Sequence, residues 1–271
     1  SDFVQKILHI DKAGHSGTLD PHVHGVLPVA LGRATRIVQG LLTSGKEYVG
    51  IMHLHREIDE AKLKETIQKY FTGKISQLPP IKSSVKRQQR TREIYYFDIL
   101  EKDGQDALFI VGCQAGTYIR KLIHDLGQKL RIGAHMQELR RTKAGPFNES
   151  TLFTLQDLAD AYHFFKEENN DRFIKKIIQP VESAVAHLPK IWVFDTTIDT
   201  LCHGANLNNP GISKLNTGIK ENDIVAIMSL KEELVALGTA KADSENILSK
   251  EKGIAAKTDK VFMLPGTYKN K

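Results

Sequence analysis

The 271-residue sequence predicts an α+β fold: a mixed, largely antiparallel sheet flanked by helices, followed by a smaller β-rich module. Three observations carry that expectation. Apolar β-branched runs and amphipathic helical stripes both occur, but not in the regular βαβ spacing of a doubly wound sheet. No internal period of roughly 20–50 residues marks a repeat architecture. Turn signals gather after Pro189, where the runs between them are short.

Taken in order, residues 47–54 (EYVGIMHL), 94–99 (IYYFDI) and 107–114 (ALFIVGCQ) read as strands. Residues 59–72 set Leu63, Ile67, Tyr70 and Phe71 on one helical face and end at Gly73. Residues 118–130 carry a second stripe through Ile119, Leu122, Ile123, Leu126 and Leu130. Thr154 opens a T-x-x-D box before a third helix bearing Leu155, Leu158, Tyr162 and Phe165. Residues 171–187 read as helical. Beyond them, residues 224–229, 234–239 and 261–264 read as strands, punctuated by Asn208-Asn209-Pro210-Gly211, Asn216-Thr217-Gly218 and Pro265-Gly266.

Charge divides the chain at the same place. The net charge is +6, and residues 1–187 hold 27 basic against 22 acidic residues, whereas residues 188–271 hold 11 against 10. All 11 arginines lie in the first part. Arginine is the bidentate reader of phosphate and carboxylate, so chemistry is sought there. With 41% hydrophobic and 26% charged residues the chain has the composition of a folded protein. It has no apolar run long enough to span a membrane and no signal-peptide pattern at its start. The two cysteines, Cys113 and Cys202, make no disulfide framework, and a reducing, cytoplasmic location is expected.

The densest punctuation is in residues 12–36, KAGHSGTLDPHVHGVLPVALGRATR, with Gly14, Gly17, Gly25, Gly32, Pro21 and Pro28. Pro21 pushes Asp20 out of α geometry and pins its carboxylate on a stiff loop. An Asp-Pro pair also simply starts turns, and the dipeptide leaves both readings open. Gly14-His15-Ser16-Gly17-Thr18 fails as a nucleophile elbow because Thr stands where the final Gly is needed. No G-K-[ST] follows the glycines, so no nucleotide loop is present. His15, His22 and His24 lack the second half of a metal motif, and no metal is expected.

This stretch resembles the signature of the TruB/dyskerin family of pseudouridine synthases, G-H-x-G-T-L-D-P followed by G-V-L-P. Three further elements follow in the family's order: Lys46-Glu47-Tyr48, Gly116-Thr117-Tyr118-Ile119-Arg120 and Leu139-Arg140-Arg141. Residues 79–96 and Cys202-His203-Gly204-Ala205 are most similar to the archaeal branch that serves H/ACA ribonucleoprotein particles. The family's upstream K-P-x-G element lies outside this sequence, and a truncated lead-in is expected.

The resemblance implies a catalytic domain over 1–187 and a PUA domain over 188–271. It implies Asp20 as catalytic carboxylate, Arg120 as its bidentate charge partner and Tyr48 as the aromatic wall of the base pocket. His15 and Leu139 would line that pocket, and residues 142–153 would form a mobile lid. The reaction breaks and remakes a glycosidic bond with no redox change, so no cofactor is implied. Asp20 could attack sugar or base, or remove a sugar proton.

RNA contact is expected from two basic runs. Residues 82–92 hold Lys82, Lys86, Arg87, Arg90 and Arg92 with no acid, and residues 138–143 add Arg140, Arg141 and Lys143. Such a run is otherwise a solvated face. Lys12, Gly204, Ala205 and Lys214 are carried over as weaker RNA contacts. Implied partners are a guide RNA, substrate rRNA and tRNA, and the small H/ACA particle proteins, two of them docked directly on this subunit. A stand-alone tRNA enzyme and a catalytically silent RNA-binding scaffold are the competing readings.

Overall fold

A computed structural model describes residues 1–79 and 86–268. The chain divides into two compact units, one of residues 15–29 and 39–157, the other of residues 1–14, 30–38 and 158–271.

In the first unit the strands are β2 (His24–Gly25), β4 (Lys46–Leu54), β5 (Gly73–Gln77), β6 (Arg90–Asp103), β7 (Asp106–Cys113), β8 (Ala134–Ala144) and β9 (Phe147–Asn148). Short segments β1 (Ala13–His15) and β3 (Val29–Leu31) flank β2 in sequence. The sheet order is β2-β8-β4-β7-β6-β5, with β9 paired to β8. The β2–β8 ladder is parallel and the other ladders are antiparallel. The sheet is therefore mixed and largely antiparallel, as the sequence predicts.

Two helices carry the core onto this sheet. The first, α3 (Glu60–Tyr70), follows α1 (Asp2–Leu8) and α2 (Val38–Thr43) in the chain and starts where the Asp59 side chain accepts from the Lys62 amide. The second is α4 (Ile119–Leu130). Leu63 and Ile67 of α3 and Leu122, Ile123 and Leu126 of α4 are fully buried with Met52, Leu54, Phe109 and Val111 of the sheet. Apolar residues at helical spacing thus meet apolar residues at strand spacing on one face.

β6 is much longer than the 94–99 run predicts. Its register passes β5 over Arg90–Ile94 and β7 over the rest, so charged residues such as Glu101 and Lys102 are carried as strand by their neighbours' hydrogen bonds. The segment expected as a lid, 142–153, begins as a hairpin. β8 runs to Ala144, turns at Gly145-Pro146 and returns as β9, and the Gly145 amide donates to the Gly45 carbonyl at 3.0 Å. Residues 143–148 thus pair as a hairpin at the edge of the sheet, and Glu149–Thr151 continue as a 3-10 turn. Thr154 and Asp157 cap α5 (Leu155–Glu167) reciprocally, each side chain accepting from the other's amide.

The second unit holds α6 (Ile174–Ile177), β10 (Lys190–Val193), α7 (Asp195–Cys202), β11 (Leu207–Asn208), β12 (Ile212–Leu215), β13 (Ile224–Met228), β14 (Leu234–Ala240), α8 (Ser244–Ser249) and β15 (Ile254–Val261). These strands form a sheet in the order β11-β15-β14-β13-β10-β12. Ile198 and Leu201 of α7 are fully buried against Ile191, Val225, Ile227 and Val235. Arg33 and Arg36 donate to the carbonyls of Phe262 and Val261 at 3.3 and 2.6 Å, which ties residues 30–38 to the end of β15.

Two expectations are corrected here. The strand read over 261–264 lies over Ile254–Val261, because the polar Lys257-Thr258-Asp259-Lys260 stretch is held by its ladder to β14. The helical reading of 171–187 shrinks to α6 and one 3-10 turn over Val181–Val185, since Pro180 interrupts the run.

Candidate active site

The Asp20 segment is anchored on both sides. Leu19 packs against the core and Val23 is buried within it. The Val23 amide donates to the Asp20 carbonyl at 2.9 Å, closing a β-turn with Pro21 at its second position. The Val26 amide donates to the Arg141 carbonyl at 2.8 Å, and β2 lies alongside β8 with Gly25 opposite Arg141. The turn leaves the carboxylate outward, and its side chain is 55% exposed.

Arg120 meets it there. It is the second residue of α4, and its Nη2 lies 2.8 Å from Asp20 Oδ2. The expected bidentate clamp is a single contact among the described residues. One contact orients a carboxylate and leaves its other oxygen open. The start of α4 is fixed by a residue the sequence reading missed. Gln77, at the end of β5, accepts from the Tyr118 amide at 3.0 Å and donates to the Tyr118 carbonyl at 3.2 Å. A side-chain amide is matched to both backbone groups of one residue, and Gln77 is 3% exposed.

Tyr48 lies on β4, partly buried against the same core. Burial pushes its hydroxyl pKa up, Cys113 and then Asp20 add to that, and the Arg141 charge opposes it. Leu139 of β8 pairs with Gly50 of β4 and is 8% exposed, so it is a core residue at the edge of the site. His15 is partly buried, and its Nδ1 is buried without a hydrogen-bond partner. Asp20, Arg120, Tyr48, Leu139 and His15 thus belong to one compact unit.

Two neighbours of Tyr48 in sequence also prove structural. Lys46 donates to the carbonyls of Leu41, Leu42 and Ser44 at 3.0, 3.1 and 2.7 Å, and so closes the C-terminal end of α2. Burial, with Arg141 adding to it, pulls its pKa down to about 8. Glu47 accepts from Tyr96, from Thr142 at 2.8 Å and from Lys143 at 2.8 Å. Burial works against the carboxylate, but Lys143, Tyr96 and Thr142 together outweigh it and hold the Glu47 pKa below its ordinary 4.5. Stability from Glu47 is then complete above pH 4.5 and lost as the pH falls through the lower folded value. Glu47→Gln is expected to flatten the acid limb of a stability–pH curve below 4.5, measured by urea denaturation; an unchanged limb would remove Glu47 from that account.

The expected RNA contacts separate. Lys86 and Arg87 are exposed, Arg90 and Arg92 lie half-buried on β6, and Lys82 falls outside the described residues. Arg140 is exposed and ion-paired with Glu149. Lys143 is exposed but held by Glu47. Arg141 is corrected: at 2% exposure it lies inside the unit and offers no surface to an RNA backbone. Strand alternation carries the reason, since Arg141 follows Leu139 on the inward face of β8 while Arg140 faces out.

Lys12, Gly204, Ala205 and Lys214 belong to the other unit. Lys12 and Ala205 are exposed, and Gly204 is exposed with φ +91°. The Lys214 ammonium sits 4.4 Å from the Trp192 ring centre. Among the described residues no group of three or more His, Cys, Asp or Glu side chains is arranged to hold a metal, and no helix is long and apolar enough to cross a membrane.

Comparison with known proteins decides what this arrangement belongs to. Residues 5–119 match the family model of the TruB family pseudouridylate synthase N-terminal domain, residues 120–186 the tRNA pseudouridylate synthase B C-terminal domain, and residues 189–262 the PUA domain. The chain belongs to the TruB family of pseudouridylate synthases. A relative from Pyrococcus abyssi, named "Probable tRNA pseudouridine synthase B", is 58% identical over 262 residues, covering 96% of this chain and 78% of the relative. A Methanopyrus kandleri protein of the same name is 54% identical over 266 residues, covering 98% and 78%.

Among solved structures, one described as "Crystal Structure of a Cbf5-Nop10-Gar1 Complex" superposes with a TM-score of 0.95 at 54% identity, over 99% of this chain and 82% of that one. Another, "Structure of H/ACA RNP bound to a substrate RNA containing 2'-deoxyuridine", gives a TM-score of 0.92 at 52% identity, over 99% and 81%. The TruB-family catalytic fold and a C-terminal PUA domain are therefore both present in this chain.

Proposed function

We propose that this pseudouridine synthase isomerises uridine in RNA under the direction of an H/ACA guide RNA, with Asp20 as its catalytic carboxylate. The observation that carries the reading is the Asp20–Arg120 pair, 2.8 Å across and 100 residues apart in sequence, in the same compact unit as Tyr48. In this reading residues 1–187 do the chemistry and residues 188–271 form the PUA module that contacts RNA.

The reaction breaks the N1–C1′ bond of the target nucleotide and forms a C5–C1′ bond. The proton on C5 is lost and N1 gains one. None of these atoms is reachable by a side chain inside a helix, so the base is flipped into a pocket walled by Tyr48 and Leu139. Asp20, with one oxygen on Arg120, acts at the glycosidic bond with the other. The guide supplies sequence choice by pairing. Support for guidance comes from the superposition of 99% of this chain on a chain of an H/ACA RNP bound to a substrate RNA. The relatives' names favour a second reading, a stand-alone tRNA enzyme.

Release of tritium from C5-labelled uridine separates the two. Release from a guide-matched uridine only when guide RNA and the small particle proteins are present is the expected result. Equal release from tRNA without a guide would establish the stand-alone enzyme, and RNA binding with no release under any condition would leave a scaffold.

Lys86 and Arg87 are exposed and carry the backbone contacts in this reading. Replacing both with Ala is expected to weaken RNA binding and reduce the slope of log affinity against log salt by about 0.7 for each phosphate no longer neutralised. An unchanged slope would make that stretch an ordinary solvated face.

A further inference from the structure

Arg141 is among the largest fully buried side chains of the chain, at 2% exposure. A guanidinium is expensive to bury without a counter-charge. Arg141 forms no ion pair with a carboxylate among the described residues. Its Nε donates to the Val26 carbonyl at 2.7 Å, and its Nη2 is buried with no hydrogen-bond partner. A second buried cation, Lys46, feels its charge. A core position that needed only volume would be better filled by Leu or Met, so the charge calls for an explanation.

Its neighbours supply one. Tyr48 on β4 and Arg141 on β8 are direct cross-strand partners in the antiparallel ladder, where side chains on one face stand about 5 Å apart at Cβ. The ladder shifts register between Glu47 and Tyr48, a bulge that re-aims side chains at this point. On its other edge β8 pairs with β2, with Arg141 opposite Gly25. One residue therefore stands across the ladder from Tyr48 on one side and holds, through Val26, the segment that presents Asp20 on the other.

We infer that Arg141 is a positioning residue for the isomerisation, which fixes the Asp20 segment through Val26 and orients the Tyr48 hydroxyl from beneath. In the proposed arrangement the phenol oxygen accepts from the guanidinium, and its own O–H is left to donate outward, towards the base or Asp20. Burying the guanidinium excludes water that would compete for that oxygen. Arg141 acts through Tyr48 and Val26 and does not itself meet the substrate. This inference rests on the pseudouridine synthase reading given above.

The experiment uses the assembled particle with guide and substrate RNA, and compares wild type, Arg141→Lys, Arg141→Met, Tyr48→Phe and the Met/Phe double variant. Single-turnover tritium release, RNA affinity and thermal stability are measured on each. A fluorotyrosine placed at position 48 is titrated by 19F NMR in the three Arg141 backgrounds. Arg141→Met is expected to slow turnover by about tenfold or more with RNA affinity within about twofold of wild type. The fluorotyrosine titration should move to higher pH in Arg141→Met, because a cation that favours the phenolate has gone, and return in Arg141→Lys. The double variant should be little slower than Tyr48→Phe, since the two residues share one effect.

Multiplicative losses in the double variant, or a fluorotyrosine titration that ignores Arg141, would reduce Arg141 to a structural wedge. A large affinity loss with a flatter salt slope would return it to RNA contact. Should Arg141→Met fail to fold, the neutral Arg141→Gln takes its place: the fluorotyrosine titration is expected to rise and turnover to fall in it, whereas a wedge role predicts a shift in neither. Wild-type protein that releases no tritium would sink the functional reading, while the fluorotyrosine titration would still test the coupling of Arg141 to Tyr48.

Discussion

Asp20→Asn is expected to abolish tritium release while leaving fold stability and RNA affinity close to wild type. The substitution keeps shape, since Asn is isosteric and its carbonyl oxygen still accepts from Arg120 Nη2, 2.8 Å away. What is removed is the charge and the basicity of the second oxygen. With the two side chains 55% and 63% exposed, the ion pair itself contributes little to folding, about 0–1 kcal/mol. The turn that holds Asp20 depends on backbone bonds and on Leu19 and Val23, which are unaffected.

A loss of turnover below detection, with melting temperature and affinity maintained, is therefore the signature of a chemical role. A matching loss of RNA affinity would instead assign Asp20 to binding. Arg120→Lys should be intermediate, because a point charge replaces a planar donor set that orients the carboxylate as well as pairing with it.

Much of the sheet and both core helices were legible because their apolar residues fall at the right spacing. Asp59 before Leu63 and Ile67, or the alternation through Met52 and Leu54, reports local geometry directly. β8 is different. Its sequence AHMQELRRTKA buries Ala134, Leu139, Arg141 and Ala144, so a charged residue sits where an apolar one would reveal the period. Its L-R-R resemblance marks it, and the Arg140-Arg141 pair within that tripeptide misleads. Reading both arginines as surface cations ignores that residues 139 and 141 must share a face. That alternation was the available signal.

Gln77 offered no comparable cue, because its pair of hydrogen bonds to the backbone of Tyr118 joins residues 41 apart. The meeting of Asp20 with Arg120 is likewise a product of tertiary packing, and only the family pattern anticipated it.

Gly25→Ala is expected to be the most damaging single substitution in the site, costing about 3–5 kcal/mol of stability. Two costs coincide at this residue. Its φ of +109° is a conformation that L side chains rarely adopt, a strain of about 1–3 kcal/mol. A Cβ there would lie 2.1 Å from the Arg141 carbonyl oxygen and 2.8 Å from both its carbonyl carbon and its amide nitrogen. Those atoms are backbone in the middle of a three-stranded pairing, so they cannot rotate away as a side-chain end could.

Relief requires β2 to lift from β8, which breaks the Val26–Arg141 bonds that hold the Asp20 segment down. The variant should therefore lose turnover even at temperatures where it stays folded. Gly32→Ala is the matched comparison: φ is +52° but nothing lies within 4 Å, so only the conformational cost of about 1–2 kcal/mol applies. Urea midpoints and tritium release on both variants check the argument. Equal midpoints would show that β2 yields easily and that close approach to Arg141 does not set the position of Asp20.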